Sequence, residues 1–132
     1  MLIVAGCDPL IRGYHLETGA VKLFHGHKGW VYCLMIYKEY LYSGGDDNVV
    51  RIWNCETGDQ IEQLIGHRNG VTQITVANNQ IYTGSFDHYI LQWDVEELTK
   101  RIEEKKQMKE EDILSRKIET FNRYLADRKK KK

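Results

Sequence analysis

An internal repeat constrains this chain more than any other feature. Residues 43–58, SGGDDNVVRIWNCETG, lie over residues 4–19, VAGCDPLIRGYHLETG, at an offset of 39 (Asp47 against Asp8, 47 − 8 = 39). Gly6 then meets Gly45, Arg12 meets Arg51, Tyr14 meets Trp53, and Thr18-Gly19 meets Thr57-Gly58. Residues 82–94 lie over 42–54 at an offset of 40, and Gly26-His27 recurs as Gly66-His67 at the same distance (67 − 27 = 40). A unit of this size cannot bury its own apolar face, so neighbouring units must stack.

Within each unit the pattern is strand, turn, strand. VYCLMI (31–36) and VTQITV (71–76) are short apolar or β-branched runs, followed across polar turns (Lys38-Glu39, Asn78-Asn79) by YLYSG and QIYTG. VVRIW and YILQW come next, and then QIEQLI (60–65), which has a counterpart in VKLF (21–24). Short strands separated by Gly, Asp and Asn turns predict an all-β fold. Four strands per unit with Gly-His and Trp-Asp punctuation predict the blades of a β-propeller.

After Asp94 the pattern stops. Residues 95–132 contain no Gly or Pro and are rich in Glu, Lys, Arg and Leu, which predicts a helical tail, frayed or disordered at its end. Opposite charges fall four apart at Glu96/Lys100, Glu97/Arg101, Asp112/Arg116 and Glu119/Arg123. Leu114, Ile118, Phe121 and Leu125 form one helical stripe, expected to dock on the last blade or pair with a partner helix. The net charge of zero hides a split: residues 1–95 carry 6 − 10 = −4, and residues 96–132 carry 13 − 9 = +4.

Over residues 1–94 the sequence resembles the WD40-repeat family. The resemblance implies a structural tetrad in each blade: Asp47, His27, Ser43 and Trp53 in one, and Asp87, His67, Thr83 and Trp93 in the next. The residue types suit a relay in which imidazole bridges carboxylate and hydroxyl, and the hydroxyl oxygen accepts from indole. An Asp–His–Ser series also resembles a hydrolase set, but its recurrence at one period favours structure over catalysis. His25 and His27 with no third ligand nearby make a weak metal site, so no cofactor or metal is expected.

The departures from the family pattern are informative. The first unit lacks a Gly-His loop and has Val4 and Tyr14 where Ser/Thr and Trp belong; the second has Trp53-Asn54; the third lacks its outermost strand. The organisation expected is therefore a partial blade over 1–24, a full blade over 25–65, a blade lacking its outer strand over 66–94, and a charged tail over 95–132. Such a piece fits the C-terminal end of a longer protein, which would supply the remaining blades as an intact form or leave this chain as a fragment or short isoform. The charged tail loosely resembles that of large nuclear zinc-finger proteins with a C-terminal propeller.

Family propellers bind proteins or peptides on their top face. The positions implied are Trp30, Tyr32, Asp46, Thr72 and Phe86, with Gly70 and Cys7 beside them, and Trp30 and Tyr32 share one side if both lie on one strand. The expected function is a protein-interaction scaffold rather than an enzyme. A ubiquitin-ligase substrate receptor is disfavoured, since Glu56 and Glu96 stand where Arg is wanted. Nucleic-acid association is a further alternative. Arg128, Lys129, Lys130, Lys131 and Lys132 form a cationic cluster without interleaved aromatics, which suits a nuclear-localisation signal or weak, non-specific RNA contact. Three widely spaced cysteines (Cys7, Cys33, Cys55) and no apolar run near the roughly 18 residues of a membrane span predict an intracellular protein, nuclear rather than cytoplasmic, that does not engage a membrane.

Overall fold

In the computed structural model, which describes residues 1–130, ten strands form three separate antiparallel sheets. The first contains β1 (Leu2–Gly6), β2 (Asp8–Tyr14) and β3 (Val21–Phe24) in that order. The second is a complete four-stranded blade of β4 (Val31–Tyr37), β5 (Tyr40–Gly45), β6 (Val49–Asn54) and β7 (Gln60–Ile65). The third contains β8 (Val71–Ala77), β9 (Gln80–Ser85) and β10 (Ile90–Asp94). By their registers, the first sheet lacks an innermost strand and the third an outermost one, giving one full and two partial propeller blades.

The turn chemistry explains the hairpins. Asn78 and Asn79 both take positive φ (49° and 59°), the conformation of a tight two-residue hairpin turn that suits Asn. Between the second and third strands of the later blades, Asn48 and His88 sit at φ 69° and 71°, closing turns in which their amides donate to Gly45 O and Ser85 O. These two turns present the pairs Asp46-Asp47 and Phe86-Asp87 at matching places in two blades.

Burial follows from stacking the sheets. Ile11 and Phe24 of the first blade pack with Val31, Leu41 and Trp53 of the second, with Ile3, Ala5, Leu34 and Cys55 around them. Phe24 meets Trp53 edge to face at 5.9 Å, and Trp53 is fully buried. Burying an aromatic of this size contributes about 3 kcal/mol, so this seam fixes the first two blades together. Between the second and third blades, Val71, Ile74 and Ile81 are buried, the Cys33 thiol lies 3.7 Å from Val71 O, and Tyr37 donates to Asn79 Oδ1 at 2.8 Å.

The chain divides into two compact units, Met1–Val95 and Glu96–Lys132. Helix α1 runs from Val95 to Lys130 without a break. The very end of the tail, Lys131 and Lys132, where fraying or disorder is expected, lies outside the described residues. No Gly or Pro interrupts the helix, and Glu96 and Glu97 in the first turn and Arg128, Lys129 and Lys130 in the last complement the helix dipole. The expected pair Asp112–Arg116 closes at 3.1 Å on the exposed surface. The stripe residues Leu114, Ile118, Phe121 and Leu125 are all exposed.

Candidate functional site

Two polar relays stand at equivalent places. In the second blade the His27 ring lies 3.0 Å from Asp47 Oδ2 through Nδ1 and 2.6 Å from Ser43 Oγ through Nε2, and Trp53 Nε1 donates to the same Oγ at 2.7 Å. In the third, His67 lies 2.8 Å from both Asp87 Oδ2 and Thr83 Oγ1, and Trp93 Nε1 donates to Thr83 at 3.0 Å. With neutral imidazole, Nδ1–H donates to the carboxylate and the hydroxyl donates to Nε2, which satisfies every group in the line. Ser43 and Thr83 are fully buried, so neither hydroxyl is open to solvent. The glycine before each histidine gives the indole its room: a Cβ on Gly26 would lie 2.8 Å from the Trp53 ring.

Arg51 completes the second relay. Its Nη2 donates to Asp47 Oδ2 at 2.9 Å and its Nη1 to Gln60 Oε1 at 2.7 Å, and the residue is 5% exposed. Burial by itself would raise the Asp47 pKa, but His27, the Lys28 amide and Arg51 together hold it well below the usual carboxylate range. Asp87 is shifted the same way: desolvation opposes, and the Arg68 and Tyr89 amides and His67 prevail. The position four residues after Asp87, where the second blade has Arg51, is held by Leu91. Arg12 repeats the arrangement in the first blade, donating to Asp8 at 2.9 Å. The recurrence of Arg12 and Arg51 four residues after an aspartate was the available signal for this role.

The second constellation lies on the rim formed by the turns between second and third strands and the loops entering the innermost strands. Trp30 (52% exposed), Tyr32 (41%) and Phe86 (58%) stand out there, together with the exposed carboxylate of Asp46. The Tyr32 hydroxyl donates to Asp46 Oδ1 at 3.2 Å, and the Tyr32 ring meets Phe86 of the next blade edge to face at 6.0 Å. Both rings close over Gly70, where a Cβ would lie 3.1 Å from Tyr32 and 3.3 Å from Phe86. The Tyr32 hydroxyl is shifted above its ordinary range, first by desolvation and then by its hydrogen bond to Asp46 and the charge of that carboxylate. Thr72 is only half-buried and its hydroxyl lies 3.4 Å from Gly84 O.

The backbone that presents these residues differs from the sequence reading in one respect. Trp30 precedes β4 rather than lying within it, and its carbonyl accepts the Asp46 amide at 2.8 Å. The register then shifts between Val31 and Cys33, so Tyr32 is an extra residue in a bulge; Thr72 occupies the same bulge in the third blade. Trp30 and Tyr32 are both exposed while Val31 between them is buried, as alternation requires, and the bulge shifts the register of the residues that follow.

Elsewhere, Cys33 and Cys55 are desolvated thiols, with Cys33 pushed up to about 11, and all three cysteines are free. Among the described residues no group of three or more His, Cys, Asp or Glu side chains is arranged to hold a metal ion, and no helix is long and apolar enough to cross a membrane. Arg128, Lys129 and Lys130 are exposed in the last helical turn; Lys131 and Lys132 of the basic cluster lie outside the described residues.

Comparison with known proteins agrees with this architecture. The family described as WD domain, G-beta repeat matches residues 19–54 and 58–94, more than half of the chain. The chain belongs to the WD40-repeat family. An uncharacterized WD repeat-containing protein of Schizosaccharomyces pombe is 29% identical over 111 residues, covering 76% of this chain and 30% of that protein. The pre-mRNA-splicing factor PRP46 of Candida glabrata is 30% identical over 72 residues, covering 52% of this chain and 17% of the relative. The solved structure of the RRP9 WD40 repeats superimposes with a TM-score of 0.64 at 27% identity, over 72% of this chain and 32% of that one. The chain thus spans about a third or less of each of these proteins.

Proposed function

We propose that the chain is a protein-recognition element that takes a peptide or protein segment on the rim patch of Trp30, Tyr32, Asp46 and Phe86, with Thr72 at its margin. One observation carries this reading: two exposed aromatic rings from neighbouring blades touch at 6.0 Å, and one of them is tied to an exposed carboxylate. Aromatic rings offer large contact area with few rotors to freeze, and an adjacent carboxylate orients a polar group of the partner. The patch would work within a closed ring of four to eight blades, the further blades coming from outside this chain. The buried relay hydroxyls argue against a hydrolase.

The test is selection of a displayed random-peptide library on the protein. Selected peptides are expected to lose affinity by about thirtyfold or more for Trp30→Ala or Phe86→Ala, a loss of 2 kcal/mol or so, and to keep it for Gln63→Ala on the outer strand. Equal loss in all three variants, or in none, refutes the assignment.

A second reading concerns location. The exposed basic turn at Arg128, Lys129 and Lys130, and a relative named as a splicing factor, support delivery to the nucleus. Replacing residues 128–132 by alanine is expected to lower nuclear accumulation. Unchanged accumulation with lost RNA crosslinking would instead favour nucleic-acid contact through the tail.

A further inference from the structure

The second compact unit leaves an apolar seam open. Leu114, Ile118, Phe121 and Leu125 are 58%, 52%, 59% and 41% exposed, and they are spaced four, three and four along α1. On a helix of 3.6 residues per turn that spacing is two heptads of a coiled-coil seam, about 17 Å long. Unlike a scattered surface leucine, a continuous stripe of four large side chains in so polar a helix calls for an occupant.

The positions identify one. The seam is symmetric about the point between Glu119 and Thr120: Leu114 and Leu125 are equidistant from it, as are Ile118 and Phe121. The charged residues next along the same face share that symmetry. Glu110 and Glu111 flank the seam at one end, Arg128 and Lys129 flank it at the other, and all four are exposed. If the helix is turned end for end and laid against itself, Leu114 meets Leu125 and Ile118 meets Phe121. Glu110 and Glu111 of each copy then come level with Arg128 and Lys129 of the other. A parallel pair would instead stack the basic turns on one another. The Arg128 guanidinium, already held 5.8 Å from the Tyr124 ring, lies close to the seam it would flank.

We propose that α1 pairs with the same helix of a second copy of this chain, antiparallel, along Leu114, Ile118, Phe121 and Leu125. The charge pairs at both ends set the direction, as flanking charges do in coiled coils. Two heptads make a short seam, so the dimer is weak and dissociates on dilution. Each assembly would then offer two copies of whatever the blades carry, which raises avidity for a repeated partner.

Sedimentation of the full 132-residue chain over a concentration series tests this. The wild-type chain is expected to show a reversible monomer–dimer step at the dilute end of the series, ahead of any larger species. The Glu110→Lys/Glu111→Lys variant and the Arg128→Glu/Lys129→Glu variant should each dimerise about tenfold or more weakly, since each faces like charge with like at both ends. An equimolar mixture of the two should recover the wild-type affinity, because an antiparallel heterodimer restores every opposite-charge contact. Circular dichroism checks that both variants keep their helix, which exposed substitutions leave intact. A monomeric wild-type chain, association unmoved by either reversal, or a mixture that fails to recover would each overturn the proposal.

Discussion

Asp47 accepts from four groups at once: the His27 ring, the amides of Lys28 and Val49, and Arg51. Asp47→Ala strands a buried imidazole and a guanidinium, and is expected to cost about 2–3 kcal/mol. Trp53→Ala opens a cavity in the seam between the first two blades and should cost about 3–5 kcal/mol. Arg51→Leu copies what the third blade has at Leu91, leaves Asp47 three donors, and should cost only about 1–2 kcal/mol. Denaturant midpoints check this order; equal effects of Arg51→Leu and Asp47→Ala would contradict it. The relays also set an acid limit. Both aspartates have folded-state pKa values below the roughly 3.9 of an unfolded chain, so their stabilisation is complete above that value and is lost as pH falls below it. Stability should therefore drop on acidification below about pH 4, and less steeply in Asp47→Asn. A profile that stays flat from pH 5 to below pH 3 would contradict the assignment.

At the scale of elements, the strands were legible because the repeat gave several aligned readings of each, and the turns because Asn at positive φ marks them. The four partners of each relay were legible from motif position. The bulges at Tyr32 and Thr72 were not, since one extra residue leaves the apolar pattern almost unchanged while altering which side chains share a face. Nor was the contact between Tyr32 and Phe86, which lie far apart in sequence and meet only when blades stack over Gly70. The role of Arg51 was not read from the sequence either: arginine normally marks surface, and here it is buried against a carboxylate and an amide. The glycine gives a test confined to the patch. Gly70→Ala adds a methyl between the two rings at ordinary backbone geometry, so it should separate Tyr32 from Phe86 with little effect on melting temperature. Peptides selected on the wild-type protein should bind it about tenfold more weakly. Full affinity for Gly70→Ala would show that the ring pair does not form the binding surface.

At the scale of the whole molecule, stability in a stacked array is roughly the sum of what each unit provides and what each interface adds. This chain has two such interfaces, one between each neighbouring pair of blades. Its outer sheets leave Leu2 and Val4 exposed on β1, and Tyr89 and Ile90 exposed where β10 begins. Exposed apolar strands with unpaired backbone groups template association with other strands. The 132-residue chain on its own is therefore expected to unfold with low cooperativity and to associate beyond dimers as concentration rises. Two routes to association would then coexist, and they respond differently to charge. Reversing Glu110/Glu111 or Arg128/Lys129 acts on the helix pair alone, and should weaken the defined dimer about tenfold or more while leaving the larger species. Replacing Val4 and Ile90 by lysine places charge on the exposed strands and should suppress the larger species while sparing the dimer. A sharp melting transition independent of protein concentration, in a chain that never exceeds a dimer, would show that three sheets suffice to satisfy one another.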